Sequence, residues 1–350
     1  MNELFTNSYQ RRARRPGALL ACLVLLAACG EPPAEGPGAG IVPLKFSVEV
    51  SPVAPTKAPP ISGTGFPSGV HRIGMWICQH EATPALFTPA MTGYGNLEAE
   101  TIASADGSNM KYDWSFKVGG STSYKTLGVR QGNGVDIYAY YPRVPGATNP
   151  TEIPFTSGQT DWMVATPVLG LSPAIDQAET TVNLAFEHLM TCIQVNITCR
   201  YDGDIAFSKM TLHDTEEKLY PGGKINAYTG SLVLDPATRA GTVYITPGVT
   251  LNRHITQSVY IIMPAVEWPE LTEGRFTLSF VYNGTVDGEE TYIIPKMTRN
   301  ITNTADITIG AFEAGKCYIY NLLLDNQVHF GPMEVTTEWP TTSTDIPLVL

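Results

Sequence analysis

Apolar and polar residues alternate with a period of two in short runs along much of this chain. The clearest run is IVPLKFSVEV, Ile41 to Val50. There Val42, Leu44, Phe46, Val48 and Val50 fall on one side, and Lys45, Ser47 and Glu49 fall on the other. That pattern predicts a strand with one face buried. A Pro-rich loop follows, and further strands are expected over 71–79, 109–118, 134–142 and 161–168, with loops over 81–105. A second series opens at TVNLAFEHLMTCIQVNITCRY, Thr181 to Tyr201, in which Ile193, Val195, Ile197 and Cys199 share a face. Candidate strands then recur at 205–212, 230–234, 241–246, 257–263, 275–282, 290–295, 305–309 and 316–324. Short strands at this spacing, with turn residues between them, predict an all-β chain of β-sandwiches. The turn-rich connector at 169–180 marks the expected boundary between a domain over 41–175 and one over 176–350.

The residues before Ile41 read as an address. Arg11, Arg12, Arg14 and Arg15 precede an apolar run, Ala18 to Ala28, that is too short to cross a bilayer as a helix. It ends in Leu26-Ala27-Ala28-Cys29, a pattern that resembles a bacterial lipobox. Residues 1–28 are therefore expected to be a lipoprotein signal, with Cys29 acylated (the alternative is an ordinary cleavage site abutting a cysteine). Residues 29–40, rich in Gly, Pro, Ala and Glu, are expected to form a flexible tether. Without residues 1–28 the chain keeps 18 basic and 32 acidic residues, a formal charge of −14. So acidic a surface repels phosphate backbones, which argues against a nucleic-acid partner.

The familiar chemical constellations are missing. There is no GxSxG elbow, no phosphate-binding glycine loop and no HExxH motif, since the fifth position of the pattern that His80-Glu81 begins is Pro84. The six histidines are scattered, and no cysteine forms a CxxC pair. No metal and no cofactor is expected. Asp202-Gly203-Asp204 and Asp287-Gly288-Glu289-Glu290 fall short of a calcium loop and read as turns. Cys78, Cys192, Cys199 and Cys317 each lie in a strand-like run, as buried thiols or as a bridge. Cys192 and Cys199 are placed on opposite faces of one strand. Trp76, Trp114, Trp162, Trp268 and Trp339 read as core, or as a sugar-stacking surface if exposed together.

Several ordered motifs are similar to those of the fimbrillin family, the pilus lipoproteins of Bacteroides-type bacteria. They are Phe66-Pro67-Ser68-Gly69 with Ile73-Gly74-Met75-Trp76, Tyr138-Ala139-Tyr140-Tyr141-Pro142, Asp161-Trp162-Met163-Val164-Ala165, Val182 to Met190, and Tyr318-Ile319-Tyr320-Asn321-Leu322. The resemblance implies two transthyretin-like, Greek-key β-sandwich domains in tandem and a non-enzymatic, structural role. It further implies an outer-membrane, cell-surface fimbrium, with other pilus subunits as partners, a lipid tie to the membrane and a surface ligand for adhesion. Phe186 and His188 become structural, His188 holding the start of the second domain through hydrogen bonds. The strand carrying Val42, Leu44, Phe46, Val48 and Val50 becomes one whose removal opens an acceptor groove. Ile346, Leu348 and Leu350 of the C-terminal TDIPLVL become a donor strand, the alternative being a packed tail. The family's processing follows an Arg, yet residues 51–70 contain none, and Lys57 is the basic residue left as a processing point. A retained first strand would suit an anchor or a tip subunit. The competing reading is a surface lipoprotein that binds glycans or host proteins through its loops.

Overall fold

The computed structural model describes residues 40–50, 72–81, 87–103, 112–117, 124–125, 127–174, 177–268, 274–284, 288–295, 297–300, 306–325, 328–331 and 333–336. Gly40–Leu350 is one compact unit, and it is all-β: among the described residues the one helical element is a 3-10 turn at Pro236–Thr238.

The first sheet has ten strands. Its path runs Tyr124–Lys125, Tyr112–Lys117, Leu97–Ala103, Arg72–Gln79, Val135–Tyr141, Met163–Ala165, Thr180–His188, Ile41–Val50 and Gly128–Arg130. Val168–Leu171 pairs beside Val135–Tyr141. The strand Leu97–Ala103 corrects the expectation of loops over 81–105. Its sequence, LEAETIA, is poor in β-branched and aromatic residues, so its own propensity for a strand is low. Tertiary pairing supplies the order. Leu97 and Ala99 are buried in the core, while Glu98 and Glu100 receive Lys117 Nζ at 3.0 and 3.1 Å, and Arg143 Nη1 reaches Glu98 at 3.0 Å.

The chain leaves the first sheet at Leu189–Met190. Residues Thr181 to Tyr201 are thus two strands, Thr180–His188 in the first sheet and Thr191–Cys199 in the next. The connector at 169–180 lies upstream of that exit, and Thr180–His188 packs with the N-terminal strands. The second sheet, of seven strands, contains Thr256–Met263, Thr191–Cys199, Cys317–Leu324, Glu334–Thr336, Met297–Asn300 and Asp306–Thr308 along its path, with Val328–Phe330 beside it. A five-stranded third sheet is built on Ile205–Asp214 and Phe276–Gly284. The two share one core, in which Ile193, Val195, Ile197 and Cys199 meet Phe207, Leu212, Phe276 and Phe280. At the end of Ile205–Asp214, Asp214 and Arg275 form a buried bidentate pair, with Nε–Oδ1 at 2.8 Å and Nη2–Oδ2 at 3.0 Å.

Another apolar cluster joins the halves. Trp76, Cys78, Tyr138 and Tyr140 from the first sheet pack with Cys192, Ile262, Cys317 and Ile319 from the second. A three-stranded sheet of Ser231–Val233, Gly222–Asn226 and Ile153–Thr156 contributes Ile225 and Phe155 to it. The last two of those strands were not expected from the sequence. Gly223 explains one of them: a Cβ there would lie 2.8 Å from the Phe155 ring, so the glycine gives that ring its place across the strands.

A candidate assembly site on the first strand

Ile41–Val50 closes the first sheet by pairing with different strands along its two halves. Ile41, Val42 and Pro43 run antiparallel to Arg130, Val129 and Gly128. Leu44 to Val50 run parallel to Thr180 to Phe186. The changeover suits the residue types. Pro43 has no N–H, and it stands opposite Gly128 at a position where Gly128 directs its own polar groups elsewhere. The Gly128 N–H donates to the Tyr94 hydroxyl at 3.0 Å, and Tyr94 donates back to the Gly128 carbonyl at 2.8 Å. Leu44 N–H then donates to the Leu127 carbonyl at 2.8 Å. A side chain at 128 would crowd this strand, because a Cβ would sit 2.5 Å from Ile41 Cγ2 and 3.0 Å from the Val42 oxygen.

The alternation read from the sequence appears in the burial of this strand. Val42, Leu44 and Phe46 are buried, Val48 is half-buried against the same core, and Ile41, Pro43, Lys45 and Ser47 are exposed. The Phe46 ring lies 4.9 Å from Phe116, centroid to centroid. Beneath it are Val182, Leu184 and Phe186 of the parallel neighbour, and Phe186 stands in register with Val50. On the outer side Ser47 donates to Asn183, and Lys45 lies 3.8 Å from Glu179 in an exposed pair worth little by itself. With this strand absent, the backbone groups of 180–186 that it pairs would be free on that edge and the pockets under Leu44 and Phe46 would be open. That combination of free ladder groups and alternate-residue pockets is what strand addition uses.

His188 ends the parallel neighbour. Its Nδ1 lies 2.9 Å from Asp161 Oδ2, and the adjacent Leu189 N–H donates to the Trp162 carbonyl at 3.0 Å. The ring therefore ties the exit of the first sheet to the segment 161–162. Cys29, Lys57, Ile346, Leu348 and Leu350 lie outside the described residues, as does the loop over 51–70. Tyr94, Leu127 and Gly128, which seat the first strand, were not singled out from the sequence. The lone signal for them was a glycine within the apolar TLGVR.

Trp339 and Asp287 lie outside the described residues; the described parts of the alternative sites are engaged as follows. Trp76, Trp162 and Trp268 are buried, stacked on Tyr140, tilted against Phe155 and edge-on to Phe276 respectively, so these three do not form a surface platform. Asp202 is engaged by Arg253, and Gly203 has a positive φ of 102°, which is a turn. Among the described residues no group of three or more His, Cys, Asp or Glu is placed to hold a metal. No helix among them is long and apolar enough to cross a membrane.

Comparison with known proteins gives a consistent family signal. The fimbrillin-like family profile matches residues 85–339. A solved structure of a candidate cell adhesion protein from Bacteroides uniformis superposes with a TM-score of 0.51 at 17% identity, covering 85% of this chain and 98% of that one. A second, from Bacteroides ovatus, gives 0.51 at 18% identity and covers 88% and 99%. No curated protein matches.

Proposed function

The chain belongs to the fimbrillin-like family, and on that premise we propose that it is a non-enzymatic subunit of a cell-surface fimbria that joins other subunits by strand exchange. The carrying observation is the first strand. Residues 44–50 pair in parallel along a single neighbour while Val42, Leu44 and Phe46 fill the core pockets of the same sheet. Residues 51–71 join this strand to Arg72–Gln79, which lies elsewhere in the same sheet and is not its pairing partner. Cutting that connection would let the strand leave, and Gly128–Arg130, which pairs in this sheet with that strand, would lose its partner along with Thr180–Phe186. The C-terminal segment carrying Ile346, Leu348 and Leu350 is the proposed replacement strand in a neighbouring subunit, and Cys29 the proposed lipid attachment at the outer membrane.

The loop's lack of Arg favours an anchor or a tip subunit over a shaft subunit, since the first strand then stays in place. A protease site placed between 55 and 60 tests the assembly route. After cleavage, mixing with uncut protein should give SDS-resistant ladders, and deleting 346–350 should abolish them. Strictly monomeric behaviour of the cleaved chain would overturn strand exchange. The mature N-terminus by mass spectrometry separates the roles: Cys29 retained means an anchor or a lipid-held binder, and a start beyond Val50 means a polymerising subunit.

A further inference from the structure

Two cysteines stand side by side in the middle of the second sheet. Cys192 and Cys317 are direct register partners on the parallel strands Thr191–Cys199 and Cys317–Leu324. Both have no solvent exposure, and both belong to the cluster that joins the halves. The Cys192 N–H donates to the Lys316 carbonyl at 2.9 Å, so the ladder bonds go to the neighbours of Cys317 and the two side chains share a face. Strand spacing puts their Cα atoms about 4.8 Å apart. That lies within the roughly 4.4–6.8 Å a disulfide spans. The other cysteines are placed differently. Cys199 faces the opposite side and pairs with Leu324, and the Cys78 thiol donates to the Phe87 carbonyl at 3.5 Å.

We propose that Cys192 and Cys317 are a disulfide site, closed by oxidation as these two strands pair. The oxidant is a disulfide-bearing compound or protein. A thiolate from Cys192 attacks one oxidant sulfur and expels the other as a thiolate, giving a mixed disulfide. Cys317, as thiolate, attacks the Cys192 sulfur and expels the second oxidant thiolate. Two protein thiols become one disulfide, the oxidant disulfide becomes two thiols, and the two protons pass to the leaving sulfurs. The reaction belongs to folding and not to the finished sheet. Burial first, and then the adjacent Cys317 sulfur, pushes the Cys192 thiol well above its ordinary range, so the native dithiol ionises little at neutral pH. The same burial keeps reductants away once the bond exists.

The site encloses residues 193–316, which include most of the second sheet and the whole of the third. In a fibre of the kind proposed above, tension entering at Cys192 would pass straight to Cys317 and on toward the C-terminus. This mechanical consequence rests on the fimbrial reading, whereas the bond does not.

The test uses the full chain. It is unfolded with reductant, refolded with oxidised glutathione, denatured, alkylated and digested without reduction for mass spectrometry. A peptide linking Cys192 to Cys317 is expected, lost on dithiothreitol treatment, absent in C192S and C317S, and unchanged in C199S. Alkylation of both cysteines in the oxidised wild type, or a link through Cys78 or Cys199, overturns the proposal. Pulling the oxidised chain from its ends should release roughly 430 Å less extension than the reduced chain, at about 3.5 Å for each enclosed residue. Equal extensions would also overturn it. Neither readout involves assembly, so failure of strand exchange leaves this result intact, and the reverse holds.

Discussion

Gly128→Ala isolates the contact that seats the first strand. The added Cβ would lie 2.5 Å from Ile41 Cγ2 and 3.0 Å from the Val42 carbonyl oxygen. Apolar carbons sit best about 3.5–4.0 Å apart, so the overlap with Ile41 is about 1 Å. Ile41 is 59% exposed and can turn aside, whereas the Val42 oxygen moves only with the strand itself. Overpacking of this kind costs about 1–3 kcal/mol. Loss of glycine freedom in the unfolded chain returns about 0.4–1 kcal/mol. The expected net loss is about 1 kcal/mol, concentrated where 41–43 meet 128–130. Amide exchange at Leu44, whose N–H donates to Leu127, reads it locally, and a urea titration reads it globally. Adding Ile41→Ala removes the closer clash and should restore part of the loss. Gly146→Ala serves as control, because no atom lies within 4 Å of its Cβ position. If Gly128→Ala leaves Leu44 exchange unchanged and matches the control in stability, close backbone approach does not seat this strand.

Tyr94→Phe leaves the Gly128 N–H and carbonyl without their hydroxyl partner and should cost about 1–3 kcal/mol in a urea titration, with faster exchange at Gly128. Phe46→Ala empties the pocket beside Phe116 and should cost about 3 kcal/mol, and in the loop-cut protein it should speed release of 41–50, followed by size exclusion. Arg275→Met strands the buried Asp214 carboxylate and should cost about 3–5 kcal/mol at pH 7. Burial alone would raise the Asp214 carboxyl, but Arg275 and the N–H groups of Glu216 and Lys218 outweigh it and hold its pKa below the ordinary value. That carboxylate therefore contributes its full stability above about pH 4 and loses it as pH falls through the lowered value. Urea midpoints in wild type should fall on acidification through that range, and the Arg275→Met deficit should shrink. A deficit constant from pH 7 to pH 3 would show that the pair is not the source.

Period-two alternation was enough to place Ile41–Val50 and its buried face, and the shared face of Ile193, Val195, Ile197 and Cys199, because a pleated strand turns sequence parity directly into side. It also put Cys192 and Cys199 on opposite faces, and composition was enough for the all-β class. Parity carries no information about which strand lies alongside. The parallel pairing of Leu44–Val50 with Thr180–Phe186, the meeting of Cys192 with Cys317, and the bidentate contact of Asp214 with Arg275 join residues far apart in the chain, and only the folded sheets decided them. Leu97–Ala103 shows the same limit from the other side: its residues favour no strand, and two neighbouring strands with Lys117 and Arg143 across its acidic face impose one. Local sequence fixes what a strand can bury. Neighbours brought in from distant segments decide where its backbone bonds go, and for the first strand those bonds are the ones an incoming strand would have to replace.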